Sequence, residues 1–225
     1  MIPTLLLERE LLREYPLVIA CDEVGRGALA GPVSVGATVV DAVMLDACAD
    51  AIPEGLKDSK LVTERKRPEL AERAAAWVSR SAVGAASAAE IDAHGIIAAL
   101  GMAAARALDE LAAAGVDVGA AIVILDGSHD YIARQWPGRI TVRPVVKADR
   151  DCASAAAASI IAKVARDAHM LELHEALPHY AWDRNKGYGS AAHRDAIRGH
   201  GVSEHHRRTW VATEAYQPAA LFASP

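Results

Sequence analysis

The sequence predicts an α/β protein: a mixed five-stranded sheet flanked by helices and closed by a helical C-terminal extension. Short apolar, β-branched runs come first and then alternate with helical stretches, the pattern of a layered sheet rather than of a bundle or a sandwich. An apolar share of 52% over 225 residues supports a large core. Alanine-rich runs such as Ala153-Ser154-Ala155-Ala156-Ala157-Ala158, with only 4% aromatics and a single Phe, call for helices packed close to their neighbours.

Residues 17–21 form an apolar run that ends in Asp22-Glu23 and a Gly-rich turn, a buried strand delivering acids to its end. Residues 33–40 alternate and are β-branched, and the short link back to the first run favours an antiparallel pair. A helix follows over 64–78 with Thr63 placed to cap it, then a third strand over 77–87. Helical spacing from 89 to 114 stops at Gly115, with a break near Gly95. Residues 121–125 are a continuous apolar strand ending at Asp126-Gly127, and 141–146 a fifth strand whose Pro144 suits an edge. A long helix over 153–173 and a shorter one over 190–199 complete the order. No linker-like stretch precedes residue 170, so the expected division is a catalytic domain over 1–172 and a helical extension over 173–225 packed on it.

Cys21, Cys48 and Cys152 are odd in number and far apart, which argues against a disulfide framework or a zinc ribbon and for reduced thiols. No apolar run reaches the roughly 20 residues of a spanning helix, and Glu8 comes too early for a secretory signal. A soluble, cytoplasmic protein with no membrane contact is expected. The net charge of −5 is uneven: residues 139–210 carry 12 Lys+Arg against 8 Asp+Glu and seven of the nine histidines, a basic segment of the kind nucleic acids meet.

The first strand's Gly25, Gly27 and Gly31 invite a dinucleotide-binding reading, but that loop must open a helix and Pro32 followed by strand-like residues denies it. What is left is a pair of carboxylates before a loop whose backbone can approach a ligand. Asp126 stands at the carboxyl end of a buried strand, where open α/β sheets bind ligands, although Asp-Gly is also a common turn. Asp149 stands between the fifth strand and the long helix, where an acid also suits the helix N-terminus; Asp151 is equally placed to cap it. Asp22, Glu23, Asp126 and Asp149 at one sheet edge would repel one another without cations, and hard oxygen ligands suit Mg²⁺ or Mn²⁺. Two such ions about 3.5–4 Å apart suit in-line phosphoryl displacement, which points to a phosphodiesterase. Adjacent residues of a regular strand face opposite ways, so Asp22 and Glu23 can share a site only where the backbone leaves the strand.

Asp22-Glu23-Val24-Gly25-Arg26-Gly27, Leu56-Lys57-Asp58-Ser59-Lys60, Leu125-Asp126-Gly127, Ala156-Ala157-Ala158-Ser159-Ile160-Ile161-Ala162-Lys163-Val164-Ala165-Arg166-Asp167 and Lys186-Gly187-Tyr188-Gly189 together resemble bacterial ribonuclease HII. The resemblance runs in the family's order from about residue 17 to 195. It implies a ribonuclease H-like fold with a C-terminal helical region. It also implies an endonuclease that cuts the RNA strand of RNA–DNA hybrids and the 5′ side of single ribonucleotides in duplex DNA, leaving 3′-hydroxyl and 5′-phosphate ends. By motif, Asp22, Glu23, Asp126 and Asp149 match the family's metal-site acids, for two Mg²⁺ or Mn²⁺ ions. The family's Lys-Gly-Asp stands here as Lys147-Ala148-Asp149, which puts the local backbone in question.

Gly25, Arg26 and Gly27 match the loop that reads the 2′-hydroxyl, the group separating RNA from DNA. Tyr188 matches the tyrosine that packs at the ribonucleotide–deoxyribonucleotide junction, and Lys60 a lysine near the active site. Lys163 and Arg166 share a helix face suited to tracking phosphates, or to a solvated face paired with Asp167. His193 sits where the family often has histidine and carries no assigned role, and His205-His206-Arg207-Arg208 reads as a solvated basic turn. Outside the resemblance, Gln217-Pro218-Ala219-Ala220-Leu221-Phe222 is similar to peptides that dock on the bacterial sliding clamp. The expected partners are therefore RNA–DNA hybrid or ribonucleotide-containing duplex and the clamp, met by a monomer. Two rivals stand beside this reading: another nuclease of the same fold acting on DNA, such as a junction resolvase, and a catalytically silent nucleic-acid-binding module.

Overall fold

The computed structural model describes residues 2–48 and 51–215. The chain opens with α1 (Leu6–Leu11), then β1 (Leu17–Val24) and β2 (Val33–Asp41), α2 (Ala42–Cys48), α3 (Arg67–Trp77), β3 (Arg80–Ala86), α4 (Ala88–His94) and α5 (Ile96–Ala113). It continues through β4 (Ile122–Asp126), β5 (Thr141–Val145), α6 (Ala148–Asp151), α7 (Ala153–Ala176), α8 (Trp182–Asn185), α9 (Ala191–His200) and α10 (Arg208–Ala215). Among the described residues the strands form one sheet in the order β3-β2-β1-β4-β5. β1 pairs antiparallel with β2 and β2 with β3, whereas β4 pairs parallel with both β1 and β5. The mixed five-stranded α/β architecture expected from sequence is the one observed, with Pro144 on the edge strand.

The pleat decides what each face does. Ile19, Cys21, Val123 and Leu125 point towards α5, while Val18, Ala20, Ile122 and Ile124 point towards α6 and α7. Small residues let those helices lie close. A Cβ on Gly36 of β2 would meet the Ala158 carbonyl oxygen of α7 at 2.4 Å, and one on Gly84 of β3 would meet that of Ala103 in α5 at 2.0 Å. The alanine-rich helices thus sit against the strand backbone.

Several local expectations need correction. α3 starts at Arg67 after a 3-10 turn over Glu64–Lys66, Thr63 makes no side-chain cap, and Pro68 fills the first helical turn, where a missing N–H is harmless. The third strand is shorter than 77–87, because Trp77 still belongs to α3 and Ser87 caps α4 in a capping box with Glu90. The break at Gly95 is there, at φ +79°. Asp151 does not cap the long helix: it closes α6, and the carboxylate of buried Glu8 in α1 accepts from Ser154 N at 3.0 Å. α7 then carries the chain across residue 172 without interruption, so the C-terminal elements grow out of the core. They pack through Tyr180, Trp182 and Ala196 against Met170 of α7 and Ala30 of the β1–β2 loop. Among the described residues no helix is long and apolar enough to cross a membrane. Cys21 and Cys152 are buried free thiols.

Candidate active site

Parallel pairing of β1 with β4 builds the centre of the site. The register sets Ala20 against Ile124 and Cys21 against Leu125, and its next step sets Asp22 against Asp126. Both aspartates share the face of Ala20 and Ile124, so they emerge side by side at the carboxyl ends of their strands. α6 follows β5 at once and brings in Asp149, whose backbone N–H lies 3.4 Å from Asp126 Oδ1. One carboxylate oxygen from each of Asp22, Asp126 and Asp149 lies within 4.8 Å of the others. At the position in question the left-handed residue is Lys147, at φ 64°, and Ala148 begins α6.

Glu23 lies apart from this trio. β1 stays a regular strand through Val24, so the pleat turns Glu23 to the opposite face. There its Oε2 accepts from Tyr131 Oη and its Oε1 from Arg26, both at 3.3 Å. Its charge still acts on Asp22. Lys60 reaches the cluster, with Nζ 3.8 Å from Asp149 Oδ2 and 3.9 Å from Asp58 Oδ1.

Burial, and then the charges of Asp126, Glu23 and Asp149, hold the Asp22 carboxyl well above the usual carboxylate range, against a hydrogen bond from Ser159. Burial, with Asp126 and Asp58 beside it, pushes Asp149 up to about 6. A hard divalent cation fits such a cluster, because three anionic oxygens converge where no protein cation neutralises them fully. The sign of the pH effect follows. Between its ordinary value and about 6 the folded form of Asp149 holds a proton that the unfolded chain releases, so metal-free stability falls as pH rises through that window. Measured against Asp149→Asn, which shares every other titrating group including buried His206, the melting temperature of metal-free wild type is expected to drop by several degrees between pH 5 and pH 8, at about 2–4 °C per kcal/mol for a chain of this size. Added Mg²⁺ or Mn²⁺ should recover more at pH 8 than at pH 5. A wild-type slope equal to that of Asp149→Asn would remove Asp149 from the cluster's electrostatics.

The loop after β1 is held from behind by two buried arginines. Arg207 donates to the carbonyls of Gly25 and Arg26 at 2.6 and 2.7 Å, and to that of Gly31 at 3.2 Å. Arg166 donates to Pro32, Lys186 and Ala30 at 2.8, 3.0 and 3.2 Å. Two expectations are thereby corrected. Arg166 is only 1% exposed and spends its guanidinium on backbone carbonyls, so it shapes the loop instead of tracking phosphates. His206 and Arg207 are likewise buried, at 1% and 0% exposure, so the His-His-Arg-Arg segment is no solvated turn; Arg207 spends its guanidinium on the carbonyls of Gly25, Arg26 and Gly31.

Lys163 pairs with Asp167 at 2.7 Å and stands 6.0 Å from the Tyr188 ring, with the Arg166 guanidinium 5.5 Å from the same ring. Tyr188 keeps 37% of its surface exposed over these cations. Gly187 ties this turn to the first loop, its carbonyl accepting from Leu29 and Ala30 at 2.8 and 3.1 Å. Sequence reasoning gave no role to Asp58, Ser59, Ser159, Tyr131 or Arg207. Asp58, Ser59 and Ser159 lay inside motifs already singled out, but Tyr131 and Arg207 carry no local signal: their partners lie 108 and about 180 residues away.

A family model for ribonuclease HII matches residues 19–213. The chain belongs to the ribonuclease HII family. A ribonuclease HII from Streptomyces avermitilis is 42% identical over 215 residues, covering 95% of this chain and 85% of the relative. Among solved structures, ribonuclease H2 from Pyrococcus horikoshii OT3 is similar with a TM-score of 0.63 at 25% identity, over 88% of this chain and 96% of that one. The ribonuclease HII in a complex with PCNA from Archaeoglobus fulgidus gives 0.60 at 25% identity, over 86% and 95%. This ribonuclease HII chain is therefore a ribonuclease H enzyme, a nuclease of the hydrolase class with the ribonuclease H-like fold.

Proposed function

We propose that this ribonuclease HII chain is a divalent-metal-dependent endonuclease that cuts the RNA strand of RNA–DNA hybrids and the 5′ side of single ribonucleotides in duplex DNA. The observation that carries it is the three-aspartate cluster standing directly before a glycine loop pinned from behind. Asp22, Asp126 and Asp149 would hold two ions, Mg²⁺ or Mn²⁺, with Glu23 adding its charge from across the strand. Ions held there would supply an activated water and neutralise charge at the leaving oxygen, and hydrolysis would leave 3′-hydroxyl and 5′-phosphate ends.

The protein's own groups do the selecting. Gly25, Arg26 and Gly27 present backbone to the ribose, because Arg207 occupies the carbonyls of Gly25 and Arg26 from the inner side and the space beside Gly27 is open. Reading the 2′-hydroxyl through main chain makes recognition independent of base sequence. Tyr188 offers an exposed ring for packing at the junction. Lys60 is placed for a phosphate oxygen beside Asp149. Lys163 serves the substrate side only as far as its pairing with Asp167 allows.

The test uses two labelled duplexes that differ by one ribonucleotide, incubated with Mg²⁺ or Mn²⁺ and resolved on a denaturing gel. A single cut on the 5′ side of the ribonucleotide, absent from the all-DNA control, is expected. Cleavage of both duplexes, or of neither that duplex nor a hybrid, would overturn the reading.

Gln217 to Phe222 fall outside the described residues. Their likeness to clamp-binding peptides, together with the PCNA complex of the Archaeoglobus fulgidus relative, supports tethering of this enzyme to a sliding clamp. Truncation after Tyr216 is expected to abolish capture by immobilised bacterial clamp, and unchanged capture would end the idea. The same reading expects the enzyme to work in the cytoplasm as a monomer.

A further inference from the structure

Tyr188 lies in the turn between α8 and α9, and its backbone carbonyl accepts two hydrogen bonds. One comes from Ser190 N at 2.8 Å, the other from Nδ1 of His193 at 2.9 Å. His193 is fully buried, and its second ring nitrogen, Nε2, lies 3.0 Å from Trp182 Nε1 and 3.1 Å from His206 Nε2. An indole N–H only donates, so His193 Nε2 accepts and the ring's proton is on Nδ1, facing the Tyr188 carbonyl. The same logic fixes His206. Its Nδ1 accepts from Ser203 N at 2.9 Å, so its proton is on Nε2 and points at His193.

With both rings neutral, Trp182 and His206 share the one lone pair of His193 Nε2, and the other donors in this chain of groups each meet an acceptor. A proton added to either ring would set N–H against N–H. Burial and the imidazoles of His193, His205 and His179 push His206 down to about 4, which keeps that ring neutral at neutral pH. The far end of the chain is the first loop. His206 bridges to Ala30, His205 accepts from Gly31 N at 2.8 Å, and Arg207 is the residue that holds the Gly25 and Arg26 carbonyls. Tyr188 and the Gly25-Arg26-Gly27 loop therefore hang from one buried frame.

We infer that His193 is a positioning residue that sets Tyr188 against the ribose-reading loop, through its Nδ1–H on the Tyr188 carbonyl. The inference rests on the reading of Tyr188 as the side chain that packs at the junction. A residue that merely filled the core would need shape alone; this position uses a donor at one specific ring atom. The demand should be greatest for a substrate with a single ribonucleotide, where one junction is available, and smaller for a long hybrid, where neighbouring registers substitute.

The distinguishing variants are His193→Asn, whose amide nitrogen stands where Nδ1 does, and His193→Gln, whose amide reaches the place of Nε2 and leaves the Tyr188 carbonyl without this donor. Cleavage of a single-ribonucleotide duplex and of a long hybrid is measured for each, with KM, kcat and melting temperature. The ratio of the two activities should stay within about twofold of wild type for Asn and fall about tenfold for Gln, the effect of one well-placed buried hydrogen bond. Equal ratios in the two variants, or equal losses on both substrates, would overturn the inference. Should the Gln variant fail to fold, His193→Leu, which fills the position without a donor to the Tyr188 carbonyl, takes its place, and the same lowered ratio is expected; an unchanged ratio there also overturns it. Tyr188→Ala in the same assay separates the two levels. An unchanged ratio for that variant sinks the reading of Tyr188, whereas a lowered ratio beside an unchanged His193→Gln sinks the positioning role alone.

Discussion

Replacing Asp126 by Asn is expected to lower cleavage at least about 1,000-fold, on the order of 4 kcal/mol of transition-state stabilisation, by removing one of the three acids that gather at the strand ends. The same variant should melt at a higher temperature than wild type when no metal is present. Asp126 is the neighbour whose charge weighs on both Asp22 and Asp149, and Asn keeps the oxygen that accepts from the Asp149 N–H. Removing that charge relieves repulsion without opening a cavity, so the fold gains where the chemistry loses. Single-turnover cleavage in saturating Mn²⁺ and thermal melts in chelator measure the two halves separately. Activity within tenfold of wild type would remove Asp126 from the site, and a lower metal-free melting temperature would mean that the cluster is not electrostatically strained.

How much of this was legible depended on the distance over which each residue finds its partners. Strand ends carry their acids in plain view: the apolar runs before Asp22 and Asp126 fixed where those carboxylates emerge, and parallel pairing then placed them together. Helix boundaries were legible where the determinant is local, as at Gly95; the start of α7 at Ala153 was also read correctly, but its acceptor was not, because Glu8 of α1 comes from afar to take the place expected of Asp151. Glu23 shows the limit of motif reasoning. Adjacency in sequence suggested four acids in one place, and the unbroken pleat of β1 set it with Tyr131 and Arg26 instead. The basic residues were misjudged most. Positive charge near nucleic-acid motifs suggested phosphate contact for Arg166 and a solvated turn for Arg207, yet both guanidiniums are buried on backbone carbonyls. Only the folded path of the chain, with residues 25–32 threaded between α7 and the 203–207 segment, reveals those partners.

Gly25→Ala and Gly27→Ala should part company. Gly25 sits at φ +82°, and a Cβ there would meet Arg166 Nε at 2.0 Å. Arg166 cannot step aside, because its guanidinium is fastened to three carbonyls and buried. Alanine at 25 therefore strains the backbone and displaces a buried cation from its acceptors, for an expected loss of about 3 kcal/mol in stability. Cleavage should fall with it, since the loop would no longer be held at the strand end beside Asp22. Gly27 has no heavy atom within 4 Å of its Cβ position, so alanine there should melt like wild type. Any loss of cleavage in Gly27→Ala then reports on the substrate, because nothing in the protein resists the added methyl. The expected pattern is two variants equally impaired on ribonucleotide-containing duplex, of which only Gly25→Ala unfolds early. Wild-type cleavage by a stably folded Gly27→Ala would mean that the ribose does not approach the loop at that point, and the main-chain reading of the 2′-hydroxyl would have to rest on Gly25 and Arg26.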